Sequence, residues 1–559
     1  MTTPETLPAG TALVVPAQPG PSAPGRPGAA AAEGGTAPAR PAAGSAVPHV
    51  HVAVVGSGFS GIAASIRLTQ EGFDDHVLLE RADEVGGTWR DNDYPGAGCD
   101  VMSLLYSLSF APKADWRTTF GSREEIYGYL RETAERFGVR DRTLFGHDLL
   151  DAAWDGTAKR WRLTTSRGRY TCDVLVVATG YLSDPAVPDL PGLGTFTGEV
   201  FHTSRWNHDL DLTGRRVAVV GTGASAVQAV PHLQRVASQL TVYQRTPAWV
   251  APKSDKPTTA AELLLRRRVP GYQALRRGVN MWGREALAFM MARPAVMRRT
   301  LQTAALKNLH SAVPEGPLRE ALTPDHTIGC KRVLFSNTYY PALVQPNVEL
   351  VAAGVEQVRP GGLVADGKYR PADVVVLATG FEAVERPVAR RVRGADGRTL
   401  AERWGRRVSA FAGTSVSGFP NLFMLLGPNT ALAHSAQTVM IEAQVEHLVS
   451  ALRCMRERGA AAVEVLPAAE EAFQARLAEH FRGSVWEVGG CRSWYQDADG
   501  HNPSLWPTYT WRYRREVSRF RPADHRLTTC AATPAATPST HADPGARSGA
   551  PVTPGGALA

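Results

Sequence analysis

One pattern occurs twice in this 559-residue chain, and it leaves few folds open. A short apolar run, His49-Val50-His51-Val52-Ala53-Val54-Val55, ends in Gly56-Ser57-Gly58-Phe59-Ser60-Gly61. A helix-forming stretch follows from Ile62 to Gln70, and then a second apolar run, Val77-Leu78-Leu79, that ends in Glu80. Much later Arg216-Val217-Ala218-Val219-Val220 runs into Gly221-Thr222-Gly223-Ala224-Ser225-Ala226. Another helical stretch leads to Leu240-Thr241-Val242-Tyr243 and then Gln244-Arg245-Thr246. Strand, glycine turn, helix and strand in that order make a βαβ unit. A further near-repeat supports the pairing: Asp173 to Gly180 reads DVLVVATG and Asp373 to Gly380 reads DVVVLATG, one after each unit. Continuous apolar runs of this kind are strands of a parallel sheet buried on both faces.

The simplest architecture is α/β, with two Rossmann-like dinucleotide-binding domains, the second inserted in the first. Residues 49–190 and 371–528 are expected to form the two parts of the first domain, and 191–370 the second. Residues 255–325, rich in Arg, Leu, Ala and Met, read as a helical insertion in the second domain, with helices over Ala260 to Val269 and Tyr272 to Met291. This basic amphipathic segment reads as a solvated helical face in preference to a membrane-surface element. Residues 1–48 and 529–559 are dominated by Ala, Pro, Gly, Ser and Thr, too apolar-poor to offset the entropy of ordering, and read as a disordered arm and tail.

The chemistry of the first glycine turn is that of its backbone. Gly56 makes the turn, Gly58 admits a pyrophosphate to the main chain, and Gly61 lets helix and strand pack closely. Phe59 and Ser60 open the helix, whose free N–H groups face the phosphates. Glu80, 19 residues past Gly61, is placed to accept hydrogen bonds from a ribose diol and to repel a 2′-phosphate. That suits FAD. The second unit has no acid at the matching place. Arg245 and Thr246 there suit a 2′-phosphate, hence NADPH, with Gly221, Thr222, Gly223, Ala224, Ser225 and Ala226 as its phosphate turn. Hydride would pass from nicotinamide to flavin between the two sites.

Composition removes several alternatives. The net charge is +8, but there is no basic tail, zinc-finger spacing or RNA-binding motif, so no nucleic-acid partner is expected. The six cysteines form no CxxC, which argues against a metal site and a dithiol redox centre and predicts reduced thiols. With no basic, apolar leader and no apolar run of membrane-spanning length, a cytoplasmic protein without stable membrane insertion is expected. Oligomeric state is not readable.

Two further stretches narrow the chemistry. Phe196-Thr197-Gly198-Glu199-Val200-Phe201-His202-Thr203-Ser204-Arg205-Trp206-Asn207 resembles the FxGxxxHxxxW(P/D) fingerprint of type I Baeyer–Villiger monooxygenases, with Asn207 as a departure. Gly86-Gly87-Thr88-Trp89 through Tyr94-Pro95-Gly96 to Asp100 fills every specified place of that family's (A/G)GxWxxxx(F/Y)P(G/M)xxxD pattern. Asp93 and Gly98 stand where relatives often carry Arg. The resemblance spans roughly 49–528 and includes Ser417 to Phe423, similar to the family's flavin-side closing strand.

The resemblance implies an FAD- and NADPH-dependent enzyme in which reduced flavin and O₂ give a C4a-peroxyflavin that converts a ketone to an ester or lactone. It implies that Arg332 stabilises the anionic peroxide and adduct, and that Asp100 orients Arg332. Lys331 matches a contact to cofactor phosphate or ribose. Gly87, Thr88, Trp89 and Tyr106 match flavin contacts, and Gln437 a residue near the flavin pyrimidine edge. His202 matches a linker residue that affects domain positioning. The aromatic run Trp494-Tyr495, Trp506 and Tyr509 to Trp511 reads either as a substrate wall or as packing. The alternative within the same enzyme class is S- or N-oxygenation, as in the related flavin-containing monooxygenases.

Overall fold

The computed structural model describes residues 47–497 and 499–529. The expected disordered ends fall almost wholly outside the described residues.

Two sheets organise the chain. The first has eight strands in the order Val392–Arg393, Leu149–Asp155, Arg160–Thr165, Gly168–Val177, His49–Val55, His76–Glu80 and Thr143–Phe145, with Leu422–Met424 also pairing with Gly168–Val177. His49–Val55 lies parallel between Gly168–Val177 and His76–Glu80, with Val52, Ala53 and Val54 fully buried. Burial on both faces is why these strands carry no polar alternation. Leu422–Met424 runs parallel to the end of Gly168–Val177, so the segment expected as a closing strand does close this sheet.

The second sheet has five parallel strands in the order Val348–Val351, Gln239–Tyr243, Arg216–Val220, Val374–Leu377 and Glu199–His202. The second DVVVLATG run therefore belongs to this sheet, and the chain returns to the first sheet only after it, later than a boundary at 370. Similar runs sit in similar places: each is hydrogen-bonded beside the first strand of its own βαβ unit.

Helices follow the glycine turns that end the first strand of each unit. The first helix is Phe59–Gln70, so it opens inside the glycine turn. The second unit's helix is Ala224–Val236. The insertion forms Ala260–Arg268 and Tyr272–Met291, followed by shorter helices to Leu322.

The expectation of reduced thiols fails at one pair. Cys330 and Cys491, 161 residues apart, form a disulfide with Cα atoms 6.1 Å apart. Sequence separation conceals proximity here. The Thr327 N–H donates to the Gly489 carbonyl at 3.0 Å and lays the two segments side by side. Cys99, Cys172 and Cys454 are free. The cysteines therefore no longer argue for a reducing compartment. Among the described residues no cluster of His, Cys, Asp or Glu could hold a metal ion, and no helix is long and apolar enough to cross a membrane.

Candidate active site between two nucleotide cradles

The first cradle lies at the carboxyl ends of His49–Val55 and His76–Glu80. A cleft there is lined by Gly56, Ser57, Gly58, Phe59, Ser60, Glu80, Gly87, Thr88, Trp89, Tyr106 and Gln437, bringing together the residues expected to hold a flavin nucleotide. Gly61 is not in the lining but explains it. A Cβ at Gly61 would sit 1.9 Å from the Gly56 carbonyl oxygen, so only glycine lets the helix start against the strand. The helix begins at Gly58 with no side-chain cap, and its first N–H groups face the cleft without intrahelical partners.

Glu80 is buried and accepts from the Ser57 N–H at 2.9 Å, the Ser57 hydroxyl at 2.7 Å, the Ala82 N–H at 3.0 Å and Arg90 at 3.2 Å. Burial opposes its charge, but Arg90 and these hydrogen bonds outweigh it and hold the carboxyl below its usual range. This fits a carboxylate kept ionised for a ribose diol. The Gly86 N–H donates to the Ser57 carbonyl at 3.0 Å, so the GGTW turn lies against the first glycine turn. The Trp89 indole donates to the Tyr106 hydroxyl at 3.1 Å. Gln437 opens the helix Gln437–Arg458. With its amide oriented to satisfy its neighbours, it accepts from the Tyr181 hydroxyl at 3.1 Å and donates to the Thr430 carbonyl at 3.1 Å.

The second cradle repeats the design. Gly223 precedes Ala224–Val236 without a side-chain cap, Ala224, Ser225 and Ala226 form the first turn, and the Thr222 hydroxyl donates to the Thr246 carbonyl at 3.1 Å beside the Gly221 turn. Gln244 is buried and donates to the Ala321 carbonyl at 2.8 Å, which leaves Arg245 and Thr246 at the mouth of the cradle. Arg245 is exposed. Lys331 is near enough that, after burial, Arg245 is the next cause lowering its pKa. Two cations that raise each other's charging cost suit an anion.

Between the cradles stands the pair expected to do the chemistry. Arg332 donates to Asp100 Oδ2 at 3.3 Å. Asp100 is buried, and its Oδ1 has no partner. The Arg332 side chain is 41% exposed, although protein groups surround it, among them Asp100, Tyr495 and Tyr181. Burial opposes its charge, and Asp100, then Tyr495 and Tyr181, raise its pKa above even the ordinary arginine value.

A family model described as flavin-binding monooxygenase-like matches residues 49–293. A Baeyer–Villiger monooxygenase of Streptomyces coelicolor is 47% identical over 505 residues, covering 90% of this chain and 97% of the relative. The chain belongs to the Baeyer–Villiger monooxygenases. A second member, from Pseudomonas aeruginosa, is 42% identical over 491 residues, covering 87% of this chain and 93% of its own. The fold matches an oxidised steroid monooxygenase bound to NADP (TM-score 0.77, 30% identity, 86% of this chain and 100% of that one). It also matches a cyclohexanone monooxygenase from Rhodococcus bound to NADP+ (TM-score 0.75, 28% identity, 87% and 100%).

This Baeyer–Villiger monooxygenase also uses residues that sequence reasoning passed over. Arg284, from the helical insertion, donates to the Asp100 carbonyl at 2.9 Å, so Asp100 is gripped by Arg332 at its side chain and by Arg284 at its backbone. Nothing in the sequence distinguishes Arg284 from its many arginine neighbours. Arg90 was passed over although it lies inside the family loop. Trp494 stacks on Tyr181 with ring centres 6.1 Å apart, and Tyr495 is fully buried close to Arg332. Trp506 and Tyr513 lie in the core beneath the first sheet. The aromatic run thus divides: Trp494 and Tyr495 border the site, Trp506 is packing, and the half-buried Tyr509 and Trp511 stack on each other with centroids 6.0 Å apart.

His202 is buried, and its Nδ1 accepts from the Ser204 N–H at 3.1 Å. Burial drops its pKa to about 4, so the ring is neutral and holds a turn. Trp206, the other linker residue, packs edge-on against Phe201 with centroids 5.0 Å apart. The two departures in the loop have local partners: Asp93 accepts from His208 at 2.8 Å, and the Gly98 carbonyl accepts from Gln228 at 2.9 Å.

Proposed function

We infer that this monooxygenase takes electrons from NADPH and converts a ketone, O₂ and a proton to an ester or lactone, water and NADP+, with Arg332 as its catalytic cation. The observation that carries the reading is a guanidinium oriented by a buried carboxylate, with Tyr181 of the first cleft close to it and its chain neighbour Lys331 close to Arg245 of the second cradle. FAD bound in the first cradle, once reduced, supplies the activated dioxygen.

The protein's own part is electrostatic. A guanidinium stays cationic through the reaction and offers several donors to an oxyanion that develops as the carbonyl is attacked. Asp100 uses Oδ2 to fix the orientation of Arg332. Tyr181 and Tyr495 are kept protonated by burial, so they remain neutral donors beside the cation. Arg245, Thr246 and Lys331 hold the 2′-phosphate end of NADPH, and Glu80 holds the ribose of FAD. Trp494, stacked on Tyr181, borders the place where the ketone would sit.

Reaction under ¹⁸O₂ tests the assignment. An ester or lactone carrying one labelled oxygen is the expected product, and an S-oxide or N-oxide as the sole product would overturn it. Arg332→Ala should reduce ester formation by two orders of magnitude or more, the scale of lost oxyanion stabilisation, about 10²–10³-fold. Flavin reduction by NADPH, followed by bleaching of the yellow colour without air, should persist. Ester formation surviving the substitution would remove Arg332 from the mechanism.

A further inference from the structure

The helix Tyr272–Met291 packs one side, polar and apolar, against the protein and leaves an apolar stripe exposed on the other. Its inner side carries Arg277, which donates to the Leu104, Leu105 and Ser107 carbonyls, and Arg284, which donates to the Asp100 carbonyl. Ala288 and Met291 are buried there. Its outer side carries Leu275, Val279, Trp282 and Phe289, which fall on one stripe at helical spacing. They are 65%, 55%, 60% and 42% exposed. The preceding helix, Ala260–Arg268, adds Leu264 and Leu265. Of the fifteen large exposed hydrophobic residues among the described residues, seven lie between 264 and 289, so this is a patch and not scatter.

The patch is rimmed by cations. Residues 260–307 hold ten Lys and Arg against two Glu. Arg266 is buried and paired with Glu262, and Arg277 and Arg284 bond inward, so the surface charge rests on the other arginines and Lys307. Glu285 is buried and Glu262 is paired with Arg266 at 2.7 Å, so neither offsets the rim. Arg267, Arg268, Arg293, Arg298 and Arg299 are exposed around the apolar stripe.

We propose that this face binds the surface of an anionic lipid bilayer, lying on it without crossing it. A stripe with Trp, Phe and Leu bordered by arginines matches what an interfacial helix presents: apolar side chains enter the boundary between headgroups and acyl chains, and guanidiniums meet lipid phosphates. A second copy of the chain fits the stripe but sets the same arginine rim against itself, which like-charge repulsion disfavours. Among the described residues no helix is long and apolar enough to span a bilayer, so the proposed contact is peripheral. The inference is independent of the reaction assigned above. Its geometric consequence is that the bilayer would lie about one helix diameter, ~10 Å, from the backbone of Asp100, on the far side of Tyr272–Met291.

Co-sedimentation of the flavin-loaded enzyme with vesicles tests this. Vesicles of phosphatidylcholine alone and of equimolar phosphatidylcholine and phosphatidylglycerol should differ, with at least about tenfold stronger binding to the anionic set at low salt and loss of that advantage at high salt. The double variant Leu275→Ser/Trp282→Ser should weaken binding about tenfold or more. Its rate of NADPH oxidation with a water-soluble ketone should stay unchanged. If that variant fails to fold, Arg267→Glu/Arg268→Glu should abolish the preference for anionic vesicles by charge alone. Absence of binding to anionic vesicles, or equal binding by the variants, overturns the proposal. So does a dimer in light scattering that the double variant turns into monomer, because a second copy would then cover the face.

Discussion

Tyr94 donates its hydroxyl hydrogen bond to Gln228 Oε1 at 2.7 Å, and this contact crosses from the loop of the first nucleotide cradle to the helix of the second. The contact is reinforced on the same helix. A Cβ at Gly96 would meet the Gln228 carbonyl oxygen at 2.6 Å, and Gln228 donates back to the Gly98 carbonyl. One loop therefore touches the flavin cradle at Gly87, clips the second sheet's helix at Tyr94 to Gly98, and delivers Asp100 to Arg332. Tyr94→Phe removes the clip's hydrogen bond at a cost of about 1 kcal/mol, or roughly fivefold in the population of the docked geometry. Flavin content should be unchanged. The ratio of ester formed to NADPH consumed should fall, with hydrogen peroxide making up the difference. An unchanged ratio would mean that the loop's backbone packing alone holds the domains.

Arg245 is exposed just past the end of Gln239–Tyr243 with Lys331 nearby, and the strand is followed by Gln244, Arg245 and Thr246 with no acid among them. Arg245→Ala should raise KM for NADPH by about 10- to 150-fold, the worth of a charge-assisted hydrogen bond of roughly 1.5–3 kcal/mol. KM for NADH should barely move. Steady-state kinetics with both nucleotides reads the difference. A similar loss with NADH would place Arg245 on the shared part of the cofactor instead of the 2′-phosphate.

The two glycine turns and their partner strands were legible because backbone geometry forces residue type there, since nothing but glycine fits at Gly61, whereas the Gly86-to-Asp100 loop was legible through the family pattern. Arg332 and Asp100 were legible only through the family pattern, since a lone arginine after a helical insertion has no local signature. Arg284 and the Cys330–Cys491 bond were not legible at all. Both depend on where two distant segments come to lie, and neither spacing nor composition encodes that. The apolar outer stripe of Tyr272–Met291 shows the same limit differently. Periodicity reports that a helix has an apolar side but not whether anything covers it.

Cys330 is two residues before Arg332, and its disulfide partner Cys491 is three residues before Trp494, so the bond ties the catalytic arginine's loop to the aromatic border of the site. Denatured protein should show two more thiols after treatment with a dithiol reductant than before. The reduced enzyme, or Cys330→Ser/Cys491→Ser, should keep its rate of flavin reduction and lose ester yield per NADPH, because only the placement of Arg332 and Trp494 is loosened. Thiol titration that finds no difference would show that the bond is absent, and unchanged coupling would show that it does not position Arg332.

Glu285 ties the helical insertion to the end of the chain. It is buried and accepts from the Thr510 N–H at 3.1 Å and from the Thr510 hydroxyl, at the start of the helix Thr510–Val517. Burial pushes its pKa up to about 7, against the opposing pull of the Thr510 and Trp511 backbone hydrogen bonds. The folded state thus holds this proton more tightly than the unfolded chain, where a glutamate titrates near 4.5. The stability it contributes is fully present below about pH 4.5, declines as pH rises through about 7, and is level on either side. Glu285→Gln keeps an acceptor for the Thr510 N–H and carries no titrating proton. The Tm of the variant, measured from pH 4.5 to 8 against the parent protein, should therefore gain steadily on the parent up to about pH 7 and then run parallel to it. A difference that does not change with pH would show that Glu285 is ionised throughout, held as an anion by the helix N-terminus it caps.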